Sequence, residues 1–186
     1  MSASRHIPSR SLLLLLARYL AVAAVVVAFA LIARYFGLDD NVRLDPGTRI
    51  TALDGDTLKS SDTEYRIFGI DAPELFQTCS EANGKAWNCG RAAQARLRAL
   101  IASQTIDCEP RARDKFGRTV AICSTRSVPD LGETLVREGL AINFSGFAEG
   151  PYVDAEADAR LAKRGIWRGH FDRPGSWRKA HPRQAD

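Results

Sequence analysis

The apolar positions of this chain form one long run, followed by short alternations. Residues 12–33, LLLLLARYLAVAAVVVAFALIA, are apolar except for Arg18 and Tyr19. A helix over this run, at about 1.5 Å per residue, is long enough to cross a hydrocarbon core of about 30 Å. Residues 39–47 are polar and end in Pro46-Gly47, as a linker would. Beyond them, apolar and polar residues alternate over 48–53, 57–60, 65–70, 105–111 and 118–124, which predicts five strands. Asp54-Gly55 is a hairpin signal between the first two, and DKFG at 114–117 is a turn between the last two.

Three helices punctuate these strands. Ala93, Leu97, Leu100 and Ile101 recur at helical spacing within 90–103. Asp130 with Glu133 makes a capping-box-like start to a second helix that ends before Gly139. The Ala-rich stretch 153–164 predicts a third, with Gly165 as its stop. Five short strands with helices after the third and fifth predict a β-barrel plus helices (α+β). The expected architecture is a five-stranded OB-type barrel with three helices, preceded by an N-terminal transmembrane helix. The expected layout is a cytoplasmic stub and transmembrane signal-anchor over 1–38, a linker over 39–47, the OB-type domain over 48–168 and a basic C-terminal tail over 169–186.

Charge places the domain. Arg5 and Arg10 precede the apolar run and no acid does, so the first ten residues stay in the cytoplasm. The expectation is a single-pass inner-membrane protein with its C-terminal domain in the periplasm or outside. In a second reading Arg18 closes a charged n-region and Ala28-Phe29-Ala30 is a cleavage site, so the domain is secreted. Both readings export it. The formal net charge of +4 belongs entirely to residues 1–38, which hold four arginines and no acid. The remaining 148 residues are neutral overall, so the basic pI is no sign of nucleic-acid binding. Residues 159–186 do carry eight Lys/Arg against two acids, and such clustering can steer a polyanion.

Four cysteines suit an oxidising compartment and allow three pairings. Cys108 and Cys123 are equidistant from the 114–117 turn and should face each other across two strands, which leaves Cys79 with Cys89. Their spacings match neither a zinc ribbon nor a redox pair.

The candidate chemistry lies in LDGDTLKSSDTEYRIFGIDAPE, residues 53–74. Asp56 opens one strand, and Asp71 and Glu74 follow the end of another, so strand pairing can bring the carboxylates together. Alternation puts Arg66 on the face of Phe68 and Ile70, inward in a closed barrel, where a guanidinium needs anionic partners. Arg118 follows the DKFG turn. Carboxylates can hold a hard cation such as Ca²⁺ and leave positions for water and a phosphate oxygen. Guanidinium forks can grip the other phosphate oxygens through the transition state. Asp56 and Asp71 suit the metal, Glu74 the water, and Arg66 and Arg118 the phosphate.

LDGDTL, YRIFGIDAPE, DKFGRTVA, ETLVREGLA and AKRGIW, in that order, resemble the staphylococcal nuclease (thermonuclease) family from about Thr48 to Trp167. The resemblance implies a Ca²⁺-dependent phosphodiesterase that cleaves DNA and RNA. Catalytic roles fall on Arg66, Glu74 and Arg118, and metal ligation on Asp56, Asp71 and the backbone carbonyl of Ala72. Lys115, Phe116, Phe144 and Tyr152 fall at substrate-binding positions, and Phe147 at another base-stacking position. Ala72 replaces a threonine of the best-known member, Phe116 replaces a tyrosine, and a Cys-clipped loop with Lys85 follows Glu74. The expected partners are nucleic acid and, through the N-terminal helix, the membrane; no protein partner is expected. The alternative is a non-catalytic OB-type binding module of the cell envelope, since a fold does not fix a function.

Overall fold

The computed structural model describes residues 10–35, 42–45, 49–144 and 150–182. The chain divides into two compact units, Met1–Asp40 and Asn41–Asp186. In the first, helix α1 spans Arg10–Tyr35. Its segment Leu14–Ile32 has a mean hydropathy of 2.5, and among the described residues this is the one helix long and apolar enough to cross a membrane. Large apolar side chains are exposed all along it, including Leu14, Leu20, Val25, Phe29 and Ile32. Such a helix has no polar face to turn to water.

The second unit is a curled, OB-like sheet with helices packed on it. In chain order its elements are β1 (Val42–Leu44), β2 (Ile50–Ala52), β3 (Thr57–Ser60), β4 (Thr63–Ile67), β5 (Ile70–Asp71), β6 (Cys79–Glu81), β7 (Ala86–Trp87) and α2 (Cys89–Ile101). There follow β8 (Ile106–Arg113), β9 (Thr119–Thr125), α3 (Leu131–Arg137), β10 (Ile142–Asn143), α4 (Val153–Leu161), a 3-10 turn over Gly165–Arg168, β11 (Gly169–His170) and α5 (Pro174–Ala180). The main sheet has the order β1-β8-β9-β4-β3-β2. Its pairs are antiparallel apart from β4 with β9, which run parallel with Arg66 beside Val120.

The predicted strands form, with three corrections. Residues 42–44, expected in a linker, pair as β1 with Ile106–Cys108 and make the main sheet six-stranded rather than five-stranded. Residues 65–70 do not form one strand. β4 ends at Ile67, Gly69 turns the chain at φ +75°, and β5 then pairs with β10 instead. That turn resets the alternation. Tyr65 and Ile67 fill the core, while Arg66 lies on the opposite face from them, so the expected inward-facing arginine is corrected. The third correction is the expected tail, which contains β11 and α5 and is built into the fold.

The core explains the helices. Ala93, Leu97, Leu100 and Ile101 of α2 pack with Leu58, Ile67 and Ile106 of the sheet and Leu131, Leu135 and Val136 of α3. At the start of α3 the Asp130 carboxylate accepts from the Glu133 N–H at 3.0 Å, the cap that the sequence predicts. A smaller cluster joins Cys79, Cys89, Ile142 and Ile166 with Trp87, Trp167 and Phe171. Both disulfides are present, Cys79–Cys89 and Cys108–Cys123. The second spans directly paired residues of β8 and β9.

Candidate active site

Two turns bring the acids together. At the first, Asp54 Oδ1 accepts from the Asp56 N–H at 3.0 Å, and this local bond aims Asp56 off the end of β3. Gly55 permits the approach, since a Cβ there would lie 2.6 Å from the Cβ atoms of both Ala72 and Ala93. At the second, β5 ends in Asp71, opposite Ile142 of β10. The strand that carries Asp71 is then tied to Asp56 by the Ala72 N–H, which donates to Asp56 Oδ2 at 3.1 Å.

Asp56 and Asp71 are only 3% and 2% exposed. Buried carboxylates need donors, and Arg66 supplies them. Its Nη1 donates to Asp56 Oδ1 at 3.2 Å, and its Nη2 lies 3.0 Å from Asp56 Oδ2 and 2.9 Å from Asp71 Oδ1. Thr57 Oγ1 donates to Asp56 Oδ1 at 3.0 Å. Burial pushes the Asp56 carboxyl up, to about 6, although the Arg66 charge pulls it down. Burial works against the Arg66 cation too, but Asp56 and Asp71 outweigh it and raise its pKa.

Glu74 joins the pair through a residue that the sequence reading missed. Arg178, on α5, donates from Nη1 to Asp71 Oδ1 at 3.0 Å and to Glu74 Oε1 at 2.7 Å, and from Nη2 to Asp71 Oδ2 at 3.2 Å. The result is one chain of charges, Asp56–Arg66–Asp71–Arg178–Glu74. The backbone of Glu74 is fixed independently. Its N–H donates to Gln77 Oε1 at 3.1 Å, and its carbonyl accepts from the Gln77 N–H at 2.7 Å. A Cβ at Gly90 would overlap that same carbonyl, so the start of α2 packs directly on it. Neither Arg178 nor Gln77 gave a sequence signal, because a contact across about a hundred residues has no local period. The one hint was the basic composition of the tail.

The other expected site residues divide. Arg118 stands one residue before β9, and its Nε is bonded to Asp114 Oδ2 at 2.7 Å. Its guanidinium also lies 5.5 Å from the centre of the Phe116 ring, and the Lys115 ammonium 5.0 Å. Phe116 itself is 72% exposed. The DKFG turn therefore holds an exposed aromatic ring against two cations. Phe144 is exposed, and its N–H donates to the Gly69 carbonyl at 2.9 Å, close to Asp71 along the chain. Tyr152 is committed elsewhere: it is buried, and its hydroxyl donates to Asp130 Oδ2 at 2.8 Å. This corrects its reading as a substrate contact, since a side chain packed in the core offers no face to a base. Phe147 lies outside the described residues.

Residues 64–169, more than half of the chain, match the family described as staphylococcal nuclease homologue. The succinoglycan biosynthesis protein ExoI of Rhizobium meliloti (strain 1021) is 31% identical over 119 residues, which cover 63% of this chain and 62% of that protein. "Probable endonuclease LCL3" of Schizophyllum commune is 30% identical over 149 residues, 69% of this chain and 49% of that protein. An "Uncharacterized endonuclease" of Escherichia coli O157:H7 is 27% identical over 126 residues, 65% of this chain and 76% of that protein. The chain thus spans less than two thirds of the length of the first two. By the extent of the family match, this chain is a member of the staphylococcal nuclease homologue family.

Proposed function

We propose that the domain is a nuclease that hydrolyses phosphodiester bonds of DNA, RNA or both, with Ca²⁺ as its cofactor. The observation that carries this reading is the convergence of Asp56, Asp71 and Glu74 with Arg66 at one end of the sheet, in a chain whose relatives include proteins named endonucleases.

The donor set fits a hard divalent cation in kind. Asp56 and Asp71 offer buried carboxylate oxygens around one Arg66 nitrogen, and the family resemblance adds the backbone carbonyl of Ala72. Among the described residues no group of three or more His, Cys, Asp or Glu side chains forms a ready-made metal centre. Two carboxylates and a carbonyl leave coordination positions for water and a phosphate oxygen. Bound there, Ca²⁺ would supply Lewis-acid charge to the phosphoryl oxygen. Everything else falls to the chain. Glu74 accepts a proton from the attacking water or orients it. The water oxygen bonds to phosphorus as the bond to the leaving oxygen breaks, and the leaving oxygen takes up a proton from solvent. Arg66 and Arg118 hold the non-bridging oxygens as their charge grows. Phe116, with Lys115 and Arg118 around it, supports a base.

Helix α1 is read as a membrane anchor that places this domain outside the cytoplasm, or as a signal sequence removed on export. Both disulfides favour such an oxidising compartment. The test is direct. The full chain in detergent is incubated with single-stranded DNA, double-stranded DNA and RNA, with Ca²⁺ or with chelator. Cleavage in Ca²⁺ alone is expected. Binding of nucleic acid without cleavage of any of the three would favour the non-catalytic module instead.

A further inference from the structure

Helix α5 of the C-terminal arm places Arg178 on the carboxylates, and nothing in the nuclease reading requires it there. Arg178 takes both oxygens of Asp71, and Oδ1 is already held by Arg66. Three guanidinium N–H groups, two of them from Arg178, thus already reach the Asp71 oxygens, so a cation that binds through Asp71 competes with Arg178 for them. This is no loose end of chain. β11 pairs with β6, with Gly169 opposite Glu81 and His170 opposite Ser80. Gln77 Nε2 donates to the Asp172 carbonyl at 2.6 Å, Pro174 is buried, and the Trp167 and Phe171 rings meet edge to face at 5.0 Å. The arm is anchored before α5, and the Arg178 side chain, 40% exposed, reaches from it on a long flexible stem.

We propose that Arg178 is the resident counter-cation of the carboxylate site, and that a divalent cation must displace it from Asp71 in order to bind. The inference rests on the reading of Asp56 and Asp71 as Ca²⁺ ligands. Arg178 thus acts through Asp71 and Glu74 as a positioning residue. It holds their oxygens in place while no metal is bound and lowers the apparent cation affinity by the fraction of time it is docked.

The experiment is calorimetric titration of Ca²⁺ into the full chain in detergent, without nucleic acid. Wild type is compared with Arg178→Ala, Arg178→Gln and Lys179→Ala. The lysine variant removes one positive charge from the same helix at a residue that makes no bond to the carboxylates, so it measures the long-range charge effect alone. Both Arg178 variants should bind Ca²⁺ about 10-fold more tightly than Lys179→Ala, as expected if Arg178 is docked about nine tenths of the time. In wild type, Ca²⁺ should also shift the Arg178 Nε–Hε resonance toward that of a solvated guanidinium. Equal affinities for the Arg178 and Lys179 variants, or weaker binding without Arg178, would overturn the inference and leave the metal site standing. Ca²⁺ binding by none of the proteins would overturn both. If Arg178→Ala does not fold, Arg178→Gln, which keeps the stem, carries the comparison.

Discussion

Gln77 bridges two segments far apart in sequence: its Nε2 donates to the carbonyl of Asp172 at 2.6 Å while its Oε1 accepts from the Glu74 N–H at 3.1 Å. The residue is fully buried. One amide therefore fixes the backbone of Glu74 and moors the C-terminal arm. Gln77→Leu keeps the bulk and removes both bonds, leaving a backbone N–H and a carbonyl without their partner. Unfolding in urea should show a loss of about 1–3 kcal/mol. An unchanged midpoint would mean that the bridge does not hold the arm.

Stability should depend on pH through Asp56. Burial raises its pKa to about 6 from the ordinary aspartate value of 3.8, so the native state holds that proton to higher pH than the unfolded chain does. The resulting stabilisation is complete below the unfolded value and is lost as pH rises through about 6. In chelator, the stability of wild type relative to Asp56→Asn should fall by about 2 kcal/mol between about pH 4.5 and about pH 7.5. A difference that stays flat or grows over this range would contradict the assignment.

Cys108–Cys123 closes a loop with a sequence separation of 15. Cross-linking a loop of that length should stabilise the fold by about 3 kcal/mol, mainly by restricting the unfolded chain. Replacing both cysteines with alanine should lower the unfolding free energy by that order. Peptide mapping without reduction should recover Cys108 with Cys123 and Cys79 with Cys89. Crossed pairs would be incompatible with the β8–β9 register.

Asp56 and Asp71 bring two buried carboxylates within 3.0 Å of a single guanidinium nitrogen, that of Arg66. Millimolar Ca²⁺ should raise the melting temperature of wild type, and Asp71→Asn should abolish the rise. A wild-type melting curve indifferent to Ca²⁺ would remove the support for a cation at this site.

Much of this arrangement was legible in local pattern, and the rest was not local. Asp56, Arg66, Asp71 and Glu74 lie within twenty residues, so two turns suffice to gather them. The Cys108–Cys123 pairing was also readable, through two offsets that cancel. The loop closes one residue later than the DKFG turn suggests, with Arg113 opposite Thr119, and a bulge between Pro110 and Ala112 restores the register. The face of Arg66 was misread because alternation cannot foresee the reset at Gly69, where φ is +75°. Arg178 and Gln77 escaped altogether. Composition marks the arm as basic, but the contacts that dock it, such as the Gln77–Asp172 bridge and the pairing of β11 with β6, are tertiary.

The central claim is that the carboxylates hydrolyse phosphodiesters and do not merely shape a binding surface. It is tested most directly by initial cleavage rates of wild type and Glu74→Gln in Ca²⁺, with nucleic-acid affinity measured alongside. The amide is nearly isosteric, and both aspartates remain to hold the fold. The predicted result is metal-dependent cleavage by wild type, a fall of about 10² or more in the variant and little change in affinity. Equal rates for the two proteins, or a wild type that binds nucleic acid in Ca²⁺ and never cleaves it, would contradict the account.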